Sequence, residues 1–165
     1  MIESIINLNL PVELITFLIA VLPVSELRGA IPIALGVFNM PIYSAFIFAW
    51  MGSVLPGAFL IYSLGGISKE LSVRSRFFKK FFDWLFERTY KRFWRHHERL
   101  GSLALVVFVA IPLPITGVWT GSVAAFLFGV PKKRAVCLVA LGSFIAGIIV
   151  TLIYLGVLSF FKFLL

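Results

Sequence analysis

Two short motifs place helix breakers and polar residues inside otherwise apolar sequence. The first, Pro23 to Pro32, reads PVSELRGAIP, and the second, Pro112 to Gly121, reads PLPITGVWTG. Glu26 and Arg28 are the only ionisable residues expected at membrane depth, where such residues are rare, usually paired and usually functional. A carboxyl in a poorly hydrated site takes up a proton more readily. Glu26 is therefore the candidate proton carrier, and Arg28 the candidate contact for a carboxylate or phosphate.

The other motif residues shape the backbone or offer neutral hydrogen bonds. In the first motif we expect a turn near Ser25–Gly29, where Pro23, Gly29 and Pro32 end one half-helix and start the next. The second motif is uncharged, and its candidate residues are Pro112, Pro114, Thr116, Gly117, Trp119, Thr120 and Gly121. A half-helix starting at such a break directs free amides at the tip and can bind an anion. The sequence predicts no catalytic residue, metal site or cofactor.

Each interpretation has a plainer alternative. Glu26 and Arg28 could pair with each other or bond free carbonyls, and so only hold the turn. We favour a functional role, because burying charge solely for stability is a poor strategy. In the second motif, Thr116 and Thr120 could bond back to their own helix while Trp119 packs.

Three further polar residues lie in apolar sequence outside the motifs. Ser53 and Ser143 precede small residues, and we favour close helix packing over ligand contact for both. Glu13 lies early in the first broken region, where we prefer a solvated position at the outer interface to a place on a proton path.

Composition identifies the class of protein. The 165 residues are 61% hydrophobic and 13% charged, whereas soluble domains contain about 25% charged residues. Apolar runs near the length of a membrane span recur, which predicts an all-α integral membrane protein. The net charge of +8 is almost confined to two loops, so it indicates membrane topology and not nucleic-acid binding.

The charged loops divide the chain. Residues 41–66 and 135–158 are free of charge and long enough to span a membrane. The intervening segment, 68–100, holds ten Lys/Arg, and the second basic cluster is Lys132–Arg134. The positive-inside rule places both in the cytoplasm. Two full crossings need roughly 40 residues, so we expect residues 101–131 to form a re-entrant hairpin.

The first half reads as the inverted counterpart, with a hairpin at residues 10–40 that enters from outside. The halves align at an offset of 90 residues, with the motifs at 89. The matching pairs are Pro41 and Pro131, Gly52 and Gly142, Ser53 and Ser143, Gly57 and Gly147, and Gly66 and Gly156. We therefore predict a single membrane domain over 1–165, with a first repeat at 1–67, a cytoplasmic linker at 68–100 and a second repeat at 101–165.

The linker is expected to be helical and amphipathic. Around Phe77–Phe86, aromatic residues alternate with Arg76, Lys79 and Lys80 at helical spacing. Basic faces opposite aromatic ones fit a helix that lies on an anionic leaflet. Recruitment of a lipid substrate is the alternative, and we favour anchoring.

The segment Glu26–Pro32, taken with Pro112–Gly121, resembles the small multi-drug export protein family over nearly the whole chain. That family is similar in turn to the DedA/VTT-domain membrane proteins. The resemblance implies paired re-entrant hairpins in inverted repeats, movement of lipids between leaflets, and proton coupling. The second motif departs from the DedA pattern, since Thr116–Gly121 lacks the arginine that those relatives carry.

The leading hypothesis is a multi-pass plasma-membrane transporter or scramblase that moves a lipid or amphiphile between leaflets. Expected partners are membrane lipids and protons, with a homodimer plausible and no nucleic acid. One alternative is an exporter of small cationic drugs, with Glu26 as counter-charge. A non-transport scaffold that shapes membranes is the other, and an enzyme has little support from the motifs.

Overall fold

A computed structural model describes the backbone of residues 10–74, 95–112 and 117–164, and the side chains of 10–64, 101–112 and 117–157. All regular structure within these ranges is helical, as the sequence predicts. The helices are α1 (Val12–Val21), α2 (Glu26–Gly36), α3 (Ile42–Arg74), α4 (Arg95–Ala110), α5 (Val118–Leu127) and α6 (Lys132–Leu164). The aromatic part of the predicted linker helix, Phe77–Phe86, lies outside the described residues.

Two helices, α3 and α6, are long and apolar enough to cross a membrane, over Ile42–Leu64 and Lys132–Val157. Both carry large apolar side chains on their outer surfaces, such as Phe59 and Leu152, which are 73% and 63% exposed. Water disfavours such surfaces, and a lipid environment accommodates them. α6 starts at Lys132, so the basic cluster forms its first turn, ahead of the charge-free stretch 135–158.

The two halves contain the same order of elements: a short helix, a break, a second short helix and a 33-residue helix. A proline precedes each long helix, and its carbonyl accepts the first helical hydrogen bond. Ala45 donates to Pro41, and Ala135 donates to Pro131, at 3.0 and 2.8 Å. Proline suits this place because it has no N–H to lose and its fixed φ allows a helix to follow.

The long helices α3 and α6 cross in opposite directions. Near the end of the span in α3, Tyr62 contacts Lys132 at the start of α6. In the middle, the Trp50 indole donates to the Ala140 carbonyl at 3.1 Å. Towards the start of α3, the ring of Phe46 packs edge-on against Phe144, 5.1 Å between centroids. Trp50 and Ala140 are 90 positions apart, so corresponding points of the two helices face each other.

Each long helix packs against the first short helix of its own half through a glycine. A Cβ at Gly52 would collide with the Phe17 carbonyl of α1. A Cβ at Gly142 would lie 2.8 Å from the Val106 carbonyl of α4. The lack of a side chain lets the backbones approach closely, as small residues do in membrane helix pairs.

The second short helix of each half packs across to the other half. The helix α5 meets α3 where a Cβ at Gly57 would strike Val118 and Ser122, and the chain after α5 continues to Lys132 beside Tyr62. Thus α5 runs in the same direction as α3. Similarly, Leu27 and Ile31 of α2 share one buried cluster with Ala146 of α6. The breaks of the two halves are thereby brought together.

Candidate functional site at the two helix breaks

The first break is a tight turn between α1 and α2. The Ser25 hydroxyl donates to the Ile19 carbonyl at 2.6 Å, and the Glu26 amide donates to Leu22 at 2.9 Å. These bonds satisfy carbonyls that the end of α1 leaves free. The turn therefore occupies residues 22–25, earlier than the Ser25–Gly29 expected from the sequence, and helix resumes at Glu26.

Glu26 adopts a left-handed backbone conformation, with φ of 43°. Such a conformation is uncommon for residues other than glycine, asparagine and aspartate. It costs about 1–3 kcal/mol and persists only where the surroundings hold it. Here it directs the Glu26 side chain away from α2 and towards the second break.

The carboxylate of Glu26 reaches the N-terminus of α5. The Trp119 amide donates to Glu26 Oε1 at 3.3 Å, and the Val118 amide also bonds the carboxylate. These are first-turn amides with no partner inside their own helix. Negative charge at this end also interacts favourably with the helix dipole. Glu26 is only 6% exposed, so the buried charge is held by a helix terminus from the other half of the chain.

Gly117, immediately before α5, provides the space that the carboxylate occupies. A Cβ at this position would overlap both carboxylate oxygens of Glu26. The φ of Gly117, −178°, is ordinary extended backbone, so glycine is required here for close approach and not for conformation. The Gly117 amide donates to Thr120 Oγ1 at 2.9 Å, which satisfies one more amide of the turn.

Arg28 bonds the other side of the second break. Its guanidinium Nη2 donates to the carbonyl of Ile111, 3.1 Å away, directly after the last residue of α4. The final carbonyls of a helix lack internal partners, and positive charge is favourable at that end. Arg28 is half-buried, so its guanidinium is the more accessible of the two charges.

Together the two charges bracket the second break. Arg28 binds the helix end before it, and Glu26 binds the helix start after it. Each such contact contributes up to about 2 kcal/mol in partly buried geometry. We call this arrangement the clamp: Glu26 and Arg28 of the first half, with Ile111, Gly117 and the α5 amides of the second.

The other predicted residues of the first motif are Pro23, Gly29 and Pro32. Pro23 is exposed in the turn. Gly29 lies against the Ser25 side chain, where a Cβ would be 2.9 Å away. Pro32 lies inside α2 and not at a helix start. This corrects the expectation that Pro32 begins a half-helix, and it deprives α2 of one hydrogen bond next to Arg28.

In the second motif, Pro112 follows the Ile111 carbonyl directly, while Pro114 and Thr116 lie outside the described residues. Thr120 bonds back to Gly117, the plainer of the two alternatives considered for it. Gly121 packs closely against Val109 of α4. Trp119 contributes its backbone amide to the clamp. From the sequence, we expected a role only for its side chain.

Sequence reasoning missed the contribution of Ile111, because a backbone carbonyl carries no residue-type signal. It also missed Ser122, which is fully buried beside Gly57. Within the described residues, the hydroxyls of Ser53, Ser122 and Ser143 and the indole N–H of Trp119 are buried and have no hydrogen-bond partner. Buried polar groups are normally satisfied, so these four atoms are exceptions.

Two apolar recesses lie between the described helices. The first, the α4/α5 cleft, has a volume of about 370 Å³ and is lined by Gly101, Ala104, Leu105, Phe108, Ala124, Phe128 and Val130. The second, the α3/α6 groove, is a shallower recess lined by residues that include Tyr43, Phe46, Phe144 and Leu152. Neither of these two recesses is lined by Glu26 or Arg28.

A family model for small multi-drug export proteins matches residues 26–149. The matched region begins at Glu26, directly after the first break, and includes the second break and all the clamp residues. No curated protein and no solved structure matches the chain.

Proposed function

The chain belongs to the small multi-drug export protein family, and from this premise we propose that it moves an amphiphile with an anionic headgroup across the membrane. One observation carries the proposal: the Glu26 carboxylate occupies the α5 N-terminus beside Arg28. Amides and a guanidinium are the groups that bind phosphate and carboxylate. The clamp is thus an anion site filled by the protein's own side chain.

We further propose that the two halves form an inverted repeat, with each break at the tip of a re-entrant hairpin near the midplane. The antiparallel crossing of α3 and α6 at Trp50 and Ala140 supports this arrangement. So do the equivalent glycine contacts of Gly52 and Gly142. Transporters with inverted repeats bind substrate where such breaks meet. Kinship with the DedA proteins rests on the resemblance of the motifs and belongs to this proposal.

The proposed cycle exchanges one anion for another. When Glu26 takes up a proton, it no longer offers negative charge to the α5 N-terminus, and the contact weakens. The freed amides of Val118 and Trp119, with Arg28, then bind the substrate headgroup, while its apolar part follows the outer surfaces of the helices. Release of the proton returns Glu26 to the site and displaces the headgroup. Proton movement and headgroup movement are thereby coupled.

Export of small cationic drugs is the second candidate, favoured by the family's name. In that case the substrate would need access to Glu26. The exposure of the two charges favours the anionic substrate, because Glu26 is 6% exposed and held by amides, while the Arg28 guanidinium is half-buried.

The test is transport in proteoliposomes with two fluorescent substrates, an anionic phospholipid and a lipophilic cation. We compare the wild type with Glu26→Gln and Arg28→Gln, and use Glu13→Gln as the control, an acid in the first turn of α1. For the anionic substrate, we expect Arg28→Gln to lower the rate at least tenfold, since a charge-assisted contact contributes about 1.5–3 kcal/mol. Glu26→Gln should abolish the pH dependence of the rate, and Glu13→Gln should leave it unchanged.

Unchanged lipid movement in both clamp variants would refute the site, provided that the wild type is active. Transport of the cation that is lost in Glu26→Gln and retained in Arg28→Gln would instead establish the second candidate. Activity towards neither substrate in the wild type would favour the scaffold hypothesis, which predicts damage from changes at Phe77–Phe86 and not at the clamp.

A further inference from the structure

The α4/α5 cleft opens where the second half carries smaller side chains than the first. Residues of the two halves correspond at an offset of 89 before the break and of 90 after it. At three positions that line the cleft, the corresponding residue of the first half is larger. The pairs are Gly101 and Val12, Ala104 and Ile15, and Val130 and Met40. Leu105 and Phe108 are larger than their counterparts Thr16 and Ile19, and Phe108 is 39% exposed, while Ala124 and Phe128 correspond to Ala34 and Phe38.

In the first half, the corresponding space is filled by packed side chains. Met40 is 6% exposed and belongs to a buried cluster with Ala34, against which Val12 packs. The Thr16 hydroxyl also lies 3.2 Å from the Met40 sulfur. Interiors normally fill such space at the density of organic crystals. The open cleft of the second half is therefore a feature of its sequence and not of the shared helix arrangement.

A second difference between the halves lies at the edge of the cleft. Val130 lines the cleft, and α6 starts two residues later with Lys132, Lys133 and Arg134. The corresponding start of α3 is Ile42-Tyr43-Ser44. The cleft and the cations thus occur together in the second half, whereas the first half has larger side chains at the three positions above and no charge at the start of its long helix.

Three cations at a helix N-terminus oppose the helix dipole, and the first turn of α6 contains no acidic residue. Lys132 is partly stabilised, because its Nζ donates to the Tyr62 carbonyl at 3.3 Å and lies over the Tyr62 ring. Lys133 is exposed. An anion at this place would satisfy both the free amides of the α6 N-terminus and the basic side chains.

We propose that the α4/α5 cleft and the first turn of α6 together bind one anionic phospholipid of the cytoplasmic leaflet. One acyl chain lies in the cleft, and the phosphate contacts Lys132 and Lys133 at the α6 N-terminus. The side chains that line the cleft are all apolar and suit a hydrocarbon chain, which packs there as it does among other lipid tails. The basic turn suits the headgroup, and the positive-inside rule puts it at the cytoplasmic surface.

This site is separate from the clamp. The cleft runs from Phe108, one helical turn before Ile111, away from the break and towards the start of α6. The bound lipid is a resident ligand that fills the gap between α4 and α5, so the inference does not depend on the proposed transport. Binding measurements on the full-length protein therefore test it without any transport assay.

The experiment titrates the purified chain in neutral detergent with dioleoyl-phosphatidylglycerol or dioleoyl-phosphatidylcholine, with bound lipids counted by native mass spectrometry. We expect one tightly held phosphatidylglycerol in the wild type and weaker binding of phosphatidylcholine. Lys132→Gln and Lys133→Gln should each weaken phosphatidylglycerol binding about fivefold, because each cation near an anionic group contributes about that factor. Phosphatidylcholine binding should change less.

A second variant fills the cleft with the first half's own side chains: Gly101→Val, Ala104→Ile and Val130→Met together. It should lose the bound lipid while its helical circular dichroism and its stability without lipid equal or exceed those of the wild type. Ile148→Phe in the α3/α6 groove is the matched control and should retain the lipid. Equal binding of both lipids by the wild type, or wild-type binding by the filled variant, would overturn the proposal. A filled variant that loses a dimer and keeps its bound lipid would also overturn the proposal.

Discussion

The two helix breaks divide their chemistry unequally. The first supplies both charges, Glu26 and Arg28, while the second supplies main-chain groups: the Ile111 carbonyl and the amides at the start of α5. The first break is bonded within its own half by Ser25 and Glu26, whereas the second also uses the two charges of the first half. Charges from the first half thus satisfy helix ends of the second and hold the two halves together.

Away from the breaks, the two halves have the same helix arrangement and differ in the side chains that pack within it. Gly52 and Gly142 admit α1 and α4 in the same way, and Pro41 and Pro131 start the long helices in the same way. These positions serve backbone geometry, so both halves need the same residue types. The space between the short helices is packed in one half and open in the other, because side-chain volume there is free to diverge.

The largest expected effect comes from Gly117→Ala, which breaks the contact between the Glu26 carboxylate and the N-terminus of α5. The added methyl group would occupy the place of the Glu26 carboxylate and separate it from the α5 amides. Overpacking and the lost bonds together should lower the free energy of unfolding in detergent by about 3 kcal/mol. Thermal or denaturant unfolding, followed by circular dichroism, measures the change.

A control and a double variant sharpen this prediction. Gly156→Ala is the control, because a Cβ there would meet nothing within 4 Å, and alanine should stabilise α6 by roughly 0.5–1 kcal/mol. In a Glu26→Ala background, the cost of Gly117→Ala should nearly vanish, because the group that collides is gone. An equal cost in both backgrounds would show that Gly117 does not act through Glu26.

A smaller effect tests the helix packing that the two halves share. We expect Gly52→Ala and Gly142→Ala each to destabilise the protein by about 1–3 kcal/mol, since the new methyl group meets a backbone carbonyl that cannot move aside easily. The two costs should agree to within about 1 kcal/mol, with Gly52→Ala the larger, because its contact with Phe17 is the closer. A large cost in one half alone would contradict the equivalence of the two helix pairs.

The sequence predicts the helix arrangement better than it predicts the contacts of the site. Hydropathy and prolines locate α3 and α6 to within a few residues at their starts, because length and breakers are written in residue types. Glu26 and Arg28 stand out for the same reason. Their partners, one carbonyl and two amides, do not stand out, because main-chain groups of these kinds occur all along the chain and only the fold brings these three near. The open cleft is also hidden, since Gly101 and Val130 are unremarkable until they are compared with Val12 and Met40.

The crossing of the long helices gives a third prediction. Trp50→Phe keeps an aromatic ring but removes the hydrogen bond to the Ala140 carbonyl. The carbonyl already accepts within α6, so the loss should be about 0.5–1.5 kcal/mol, the net value of one hydrogen bond. Phe46→Leu is a useful comparison, since it removes a ring contact with Phe144 and no hydrogen bond. No loss in Trp50→Phe would mean that packing alone holds the crossing.

The smallest effect is expected at Ser53 and Ser143, the equivalent buried hydroxyls of the two halves. Neither has a hydrogen-bond partner among the described residues, and both are fully buried. Removing an unsatisfied hydroxyl relieves a desolvation cost, and alanine is the better helix former. Ser53→Ala and Ser143→Ala should therefore leave stability unchanged or raise it by up to about 1 kcal/mol, equally in both halves.

The comparison for these variants is Thr151→Val, which removes a buried hydroxyl that does have a partner, the Gly147 carbonyl at 2.8 Å. Thr151→Val should lower the free energy of unfolding by more than either serine variant when unfolding is measured under the same conditions. Destabilisation by Ser53→Ala or Ser143→Ala of more than about 1 kcal/mol would mean that ordered water satisfies the hydroxyl. Destabilisation by only one of the two variants would show that water reaches the hydroxyl of that half and not the other.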